Sequence, residues 1–275
     1  MSHLDSAPSV DYPAAVESLT RHILDSLQGM RKSTGLADHV AQATDVKAAL
    51  AAVRVLGPDV FAPAVLASAS FGTDDREVVA EALRVFPPAP EDTPETACLG
   101  QAMAGLLARF GGESTVVPGV PESRCVPVGS AGGLPAARGA AVTTVTTVAA
   151  DGDWRAWTRS MARLAPLALP GVAGPAHEQA RTRTLALNRG VVRSMLRRDY
   201  PTAARLVRWA ALAHDHDGDG DRDRAADHDR PSSLDITSVV THLELFGAGG
   251  TRASLNTGIA RLLVTGQQKP KGLAS

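Results

Sequence analysis

The residues best suited to chemistry lie close together, between Thr237 and Gly272: His242, Arg252 and Asn256. Arg252 and Asn256 are four apart and share one face of a helix. His242 comes three residues after Val239 and four before Phe246, which predicts an imidazole at the edge of an apolar face. Half-buried there, it could be tuned for acid–base work near neutral pH. Glu244, two residues on, points elsewhere on the same helix, so no His–Glu dyad is expected. His-Leu-Glu is not a His-Glu-x-x-His motif either, and it makes no zinc signature.

Arginine supplies a second set of candidates. A helical pattern from His177 to about Arg198 carries Arg181, Arg183, Arg189, Arg193, Arg197 and Arg198, and the next, Ala203 to His214, adds Arg205 and Arg208. Most of these are expected to form a solvated face. The alternative is a groove for an anionic metabolite, with Arg189 and Arg193 among its ligands, because the guanidinium fork matches carboxylate and phosphate.

Metal and phosphate motifs are incomplete. Asp215, Asp217 and Asp219 with Gly220 after them match the start of a calcium loop, but Ala226 stands where a bidentate Glu closes the cage and Arg222 where an apolar residue belongs. The His/Asp-rich stretch 214–231 is therefore expected to be a disordered low-complexity insertion, with too little to bury. Metal binding through its His216 and His228 would be adventitious. The Gly129-to-Gly133 run lacks the Lys-Ser/Thr of a phosphate loop. No cofactor is expected. Cys98 and Cys125 have no CxxC spacing and read as free thiols of a reducing compartment.

Twenty-eight Lys and Arg against 29 Asp and Glu leave a formal charge of −1, so no global field draws in nucleic acid or an anionic membrane. The N-terminal residues show neither the basic nor the apolar region of a secretory signal. Apolar runs are broken by charges short of a bilayer span, so no transmembrane segment and a soluble, cytoplasmic protein are expected.

The elements that would position these side chains are helical. Val16, Leu19, Ile23, Leu24, Leu27 and Met30 form one stripe after a polar, disordered arm at 1–12. Asp45 starts a helix that stops at Gly57-Pro58, and a short apolar run from Val60 to Phe71 comes after it. Asp74 with Glu77 resembles a capping box, Thr93-Pro94-Glu95 opens the next helix, and Ser232 or Ser233 caps another. Trp154, Trp157, Met161 and Leu164 fall at helical spacing and read as core. The run Val142–Val148 is read as helix, and the last helix is placed from Thr251 to Val264. The fold class is all-α: a multi-helix array of stacked antiparallel pairs, solenoid-like or an irregular bundle. One helical domain spans 13–275, with a long Gly/Pro loop at 113–135 that could separate subdomains.

Two segments, LALNRGVVRSMLRRDYPTAARLVRW (Leu185 to Trp209) and THLELFGAGGTRASLNTGIARLLVTGQQKPKGL (Thr241 to Leu273), together resemble the EboA family of bacterial proteins. The similarity covers about the last third of the chain. It implies the company of a UbiA-like prenyltransferase and of sugar-phosphate-cyclase-like and TIM-barrel enzymes serving a small metabolite, and it carries no catalytic residues. The first functional expectation is a non-catalytic accessory protein that binds a metabolite or a partner enzyme. The alternative is a metal-independent helical enzyme, with His242 as acid or base and Arg189, Arg252 and Asn256 holding an anionic substrate.

Overall fold

A computed structural model describes residues 11–29, 35–111, 154–214, 234–246 and 249–267. Every regular element among them is helical. The order is α1 (Tyr12–Leu27), α2 (Leu36–Ala41), α3 (Val46–Leu56), α4 (Ala62–Leu66), α5 (Thr73–Val85), α6 (Pro94–Gly111), α7 (Trp154–Arg163), α8 (Pro175–Thr182), α9 (Thr184–Leu196), α10 (Tyr200–His214), α11 (Ile236–Phe246) and α12 (Thr251–Gln267), with 3₁₀ turns at Gly57–Phe61 and Ala165–Leu167. The all-α, multi-helix array expected from the periodicity is what forms. The Gly/Pro loop 113–135, the Val142–Val148 run, Cys125, most of the 1–12 arm and nearly all of the 214–231 insertion lie outside the described residues.

Buried side chains make one contiguous apolar core from α1 to α12. At its centre runs α10, packed against α7, α8, α9, α11 and α12. An ordinary surface helix buries one stripe. Here Ala203, Ala204, Leu206 through Ala211 and Ala213 are all buried, so α10 is enclosed nearly all round. Trp209 is fully buried and satisfies its indole N–H by donating to the Met161 carbonyl at 2.8 Å. Close approach depends on Gly190 of α9: a Cβ there would sit 2.7 Å from Thr158 Cγ2 and 3.1 Å from Leu206 Cδ1. In the other half, Phe61, Phe71 and Phe110 cluster with ring centroids 4.8 to 5.6 Å apart, within the range where aromatic pairs attract. The halves meet where α1 packs on α12 and where the two 3₁₀ turns touch. Val46–Leu66, 21 residues long, is apolar enough to cross a membrane, but 67% of it is buried inside this fold and it reads as core.

Several boundaries differ from the sequence expectation. Asp45 does cap α3, its Oδ1 accepting from the Ala48 N–H at 3.0 Å. The acid that opens α5, however, is Asp75 and not Asp74. Asp75 Oδ2 accepts from Gly72 N at 3.1 Å while Oδ1 accepts from Ala37 N at 2.9 Å, so one buried carboxylate serves the first turns of both α5 and α2. The short helix α2, which no apolar stripe predicts, is capped by that shared acid together with its own Asp38, which accepts from Gly35 N at 3.3 Å, and it buries Leu36 and Val40. Asp235 caps α11, accepting from Ser238 N at 3.2 Å, while Ser232 and Ser233 lie outside the described residues. The single helix read from His177 to Arg198 is two, α8 and α9, broken at Arg183. Thr182 and Thr184 there donate their hydroxyls to the Glu178 and Arg181 carbonyls, 2.9 and 3.0 Å away, and Arg183 lies over the Trp157 ring at 5.0 Å. Hydroxyl back-bonding and a tertiary cation–π contact together outweigh helical continuity. At the far end α12 runs to Gln267, one turn beyond Val264. Trp157 is core as expected, while Trp154 is only half-buried.

Candidate functional site

A cleft of about 220 Å³ opens where α6, α7, α10 and α12 converge on the two 3₁₀ turns. The α6, α7 and Ala165–Leu167 side of the lining supplies apolar Leu99, Ala162, Ala165 and Pro166. The polar wall, from α10, α12 and the Gly57–Phe61 turn, is Asp59, Arg205, Arg252 and Asn256, and α7 adds Arg163.

Helical spacing aims the polar wall. Arg205 and Arg208 are three apart on α10, so both face the Gly57–Phe61 turn and α12. Arg252 and Asn256 are one turn apart on α12, held there by buried Leu255, Ile259 and Ala260 on either side. Behind the wall lies a buried polar node. Arg208 is 0% exposed, Asp59 1% and Asn256 4%. Arg208 donates from Nη2 to Asp59 Oδ1 at 2.8 Å and from Nη1 to Asn256 Oδ1 at 2.9 Å. Asn256 donates in turn from Nδ2 to the Arg252 carbonyl at 2.6 Å. Arg208 Nε has no hydrogen-bond partner among the described residues. Charges so far from water persist only when paired and hydrogen-bonded, and the node ties α10, α12 and the Gly57–Phe61 turn together.

The electrostatics are unbalanced. Arg205, Arg208 and Arg252 surround a single carboxylate, Asp59, an excess of two positive charges. Half-buried Arg252 donates to the Val55 carbonyl at 3.3 Å and makes no salt bridge among the described residues; nor does Arg205. Burial pulls the Arg252 pKa down, as do the guanidiniums of Arg205 and Arg208, against the opposing pull of Asp59. Arg163, by contrast, is neutralised by Glu95 at 3.4 Å, whose Oε1 also accepts from Ser160 Oγ at 2.9 Å. The arrangement can therefore receive an anion at Arg205 and Arg252, with nearby apolar surface for the rest of a small molecule.

Of the residues singled out from sequence, Arg252 and Asn256 line this cleft. Arg189 and Arg193 do not. Both belong to α9, where Arg189 is exposed and Arg193 stands beside Arg197 and Arg155, whose like charges lower its pKa, Arg197 first. His242 is not at the cleft either, and it is exposed instead of half-buried. Its ring packs on Phe246, 4.7 Å between centroids, and stands 6.3 Å from Tyr200. The reason is that α11 packs on α10 and α12 through Ile236, Val240 and Leu243, a stripe too narrow to take in His242. Glu244 pairs with Arg261 at 2.6 Å, in keeping with its exclusion as a dyad partner. Asp215, Asp217 and Asp219 lie outside the described residues. Among the described residues, no group of three His, Cys, Asp or Glu is placed to hold a metal ion.

A different histidine is the perturbed one. His177 of α8 is largely buried, 5.1 Å edge-on to Trp209, with Nε2 at 3.0 Å from the Leu167 carbonyl and Nδ1 without a hydrogen-bond partner among the described residues. Desolvation, helped by the charge of Arg181, lowers its pKa to about 4 against the pull of the Leu167 carbonyl. It is a neutral core histidine and does not line the cleft.

Sequence reasoning misses Asp59 and Arg163 and counts Arg205 and Arg208 only among eight arginines expected mostly on a solvated face, although two of the four leave a trace. Asp59 is the only acid in the apolar run Val46–Leu66, and Arg208 interrupts the run Leu206-Val207-Arg208-Trp209-Ala210. A lone acid and a lone base inside otherwise apolar segments are candidates for each other. No family model, curated protein or solved structure matches the chain.

Proposed function

We propose that the protein is a non-catalytic accessory that binds a small anionic metabolite in the cleft between α10 and α12. The observation that carries this is the uncompensated pair Arg205 and Arg252, set beside apolar surface and backed by the buried Arg208–Asp59–Asn256 node. Binding is favoured over catalysis because Asp59, the one carboxylate at the cleft, is held by Arg208, and His242 is not there to move a proton. The resemblance to EboA proteins suggests where such a metabolite arises: a bacterial pathway of prenyl or cyclitol type, in the cytoplasm, with an enzyme of that pathway as partner. Calorimetric titration of the full chain with a panel of phosphorylated and carboxylated metabolites tests the proposal. Binding that disappears in Arg205→Gln is expected. No heat and no thermal shift with any anion at millimolar concentration would remove it.

A further inference from the structure

The geometry points to a dianion on one head group, a phosphate monoester with a compact apolar body, as the ligand class of this cleft. This rests on the anion-binding proposal above and sharpens it.

Charge count comes first. The excess around Asp59 is two, so a monoanion leaves one guanidinium uncompensated in a partly desolvated place, while a dianion neutralises the group. Placement comes second. The guanidiniums without a salt bridge among the described residues, Arg205 and Arg252, stand on neighbouring helices, close enough for the charge of Arg205 to lower the Arg252 pKa. The rest of the lining is Leu99, Ala162, Ala165 and Pro166 with one cation, Arg163, which is already paired with Glu95 at 3.4 Å, so among the described residues no uncompensated charge is left for the second carboxylate of a dicarboxylic acid. Both negative charges must therefore sit on one centre, as they do on a phosphoryl group, whose oxygens accept from two guanidinium forks at once. Size comes third. A volume of about 220 Å³ is below the usual range for drug-sized ligands and holds a phosphoryl group with a small apolar portion, not an extended chain.

Phenyl phosphate, benzoate and succinate serve as probes, titrated into the full chain by calorimetry at pH 8 and pH 5, with circular dichroism as the folding control at both. Phenyl phosphate is expected to bind at least about tenfold more tightly than benzoate or succinate at pH 8, through charge-assisted bonds to two arginines. Its advantage should shrink at pH 5, because the dianion of a phosphate monoester takes up a proton at about pH 6 and becomes a monoanion. Arg205→Gln should lose most of the binding. Arg252→Lys, which keeps the charge but not the fork, should weaken phenyl phosphate more than benzoate. Equal binding of benzoate and phenyl phosphate, both abolished by Arg205→Gln, overturns the dianion class and leaves anion binding standing. Tighter binding of succinate does the same in favour of a dicarboxylate. Binding unaffected by both substitutions identifies an adventitious anion only and overturns both readings.

Discussion

Arginine meets two opposite fates in adjacent helices. On α10, Arg208 is sealed from water and bonded to Asp59 and Asn256. On α9, Arg189 and Arg197 are exposed, and Arg193 feels mainly the repulsion of Arg197 and Arg155. Two histidines repeat the contrast, His177 forced neutral inside and His242 out on α11. Residue type thus says little about what an ionisable group does here; what encloses it decides. Inside, each group fixes the relation of elements distant in sequence. On the α9 face the same groups are nearly free to change.

Breaking the interior should cost most. Arg208→Ala leaves Asp59 and Asn256 buried without the guanidinium that bonds them, and breaking a buried pair in this way costs ~3–5 kcal/mol. Urea denaturation of the variant should show a midpoint lowered accordingly, or no cooperative transition. The double variant Arg208→Met with Asp59→Leu removes both charges and should recover most of that loss. A double variant no more stable than the single would show that Asn256 or shape, not the ion pair, holds the node.

The acid limb of the stability curve is next. Because His177 has a pKa of about 4 in the folded chain and about 6.5 when unfolded, the unfolded chain protonates first as pH falls. Its contribution is fully present above pH 6.5 and is lost as pH drops through that window to about 4, up to ~3 kcal/mol. Thermal melts at pH 7 and pH 4.5 check this: His177→Gln should start less stable at pH 7 yet lose less on acidification. A variant with the same acid slope as the parent assigns the loss to other groups.

The smallest effect belongs to α9. Arg193→Gln should leave the urea midpoint nearly unchanged, with a small shift in the stabilising direction at low salt where the repulsion of Arg197 and Arg155 is least screened. A large destabilisation would contradict the picture of α9 as a tolerant face.

The sequence discloses the helices better than their ends, and the cleft only in part. Stripes at helical spacing mark α1, α3, α5 and α12, since a helix packed on one side must show one. They fail for α10, which is buried all round, so Arg208 looks like one more surface arginine when it is the centre of the structure. Short-range caps such as Asp45 are readable because donor and acceptor lie three residues apart. The shared cap of Asp75 is not, because its second donor, Ala37 N, lies 38 residues away. Arg252 and Asn256 stand out because one helix carries both. Asp59 sits directly after the helix stop at Gly57-Pro58, and nothing local tells an ordinary turn acid from one that meets a guanidinium from another part of the chain.

The distance between those partners has a consequence for synthesis on the ribosome. Asp59 is 149 residues ahead of Arg208, and Asn256 comes 48 later still. At 5–20 residues per second the carboxylate waits roughly ten to thirty seconds for its counter-ion. Throughout that interval Asp59 must stay hydrated, so the apolar run Val46–Leu66 around it cannot be sealed, and the emerging chain displays its greasiest segment with one acid in its middle. That acid acts as a solubilising guard on the nascent chain and becomes a structural anchor only when the late helices arrive.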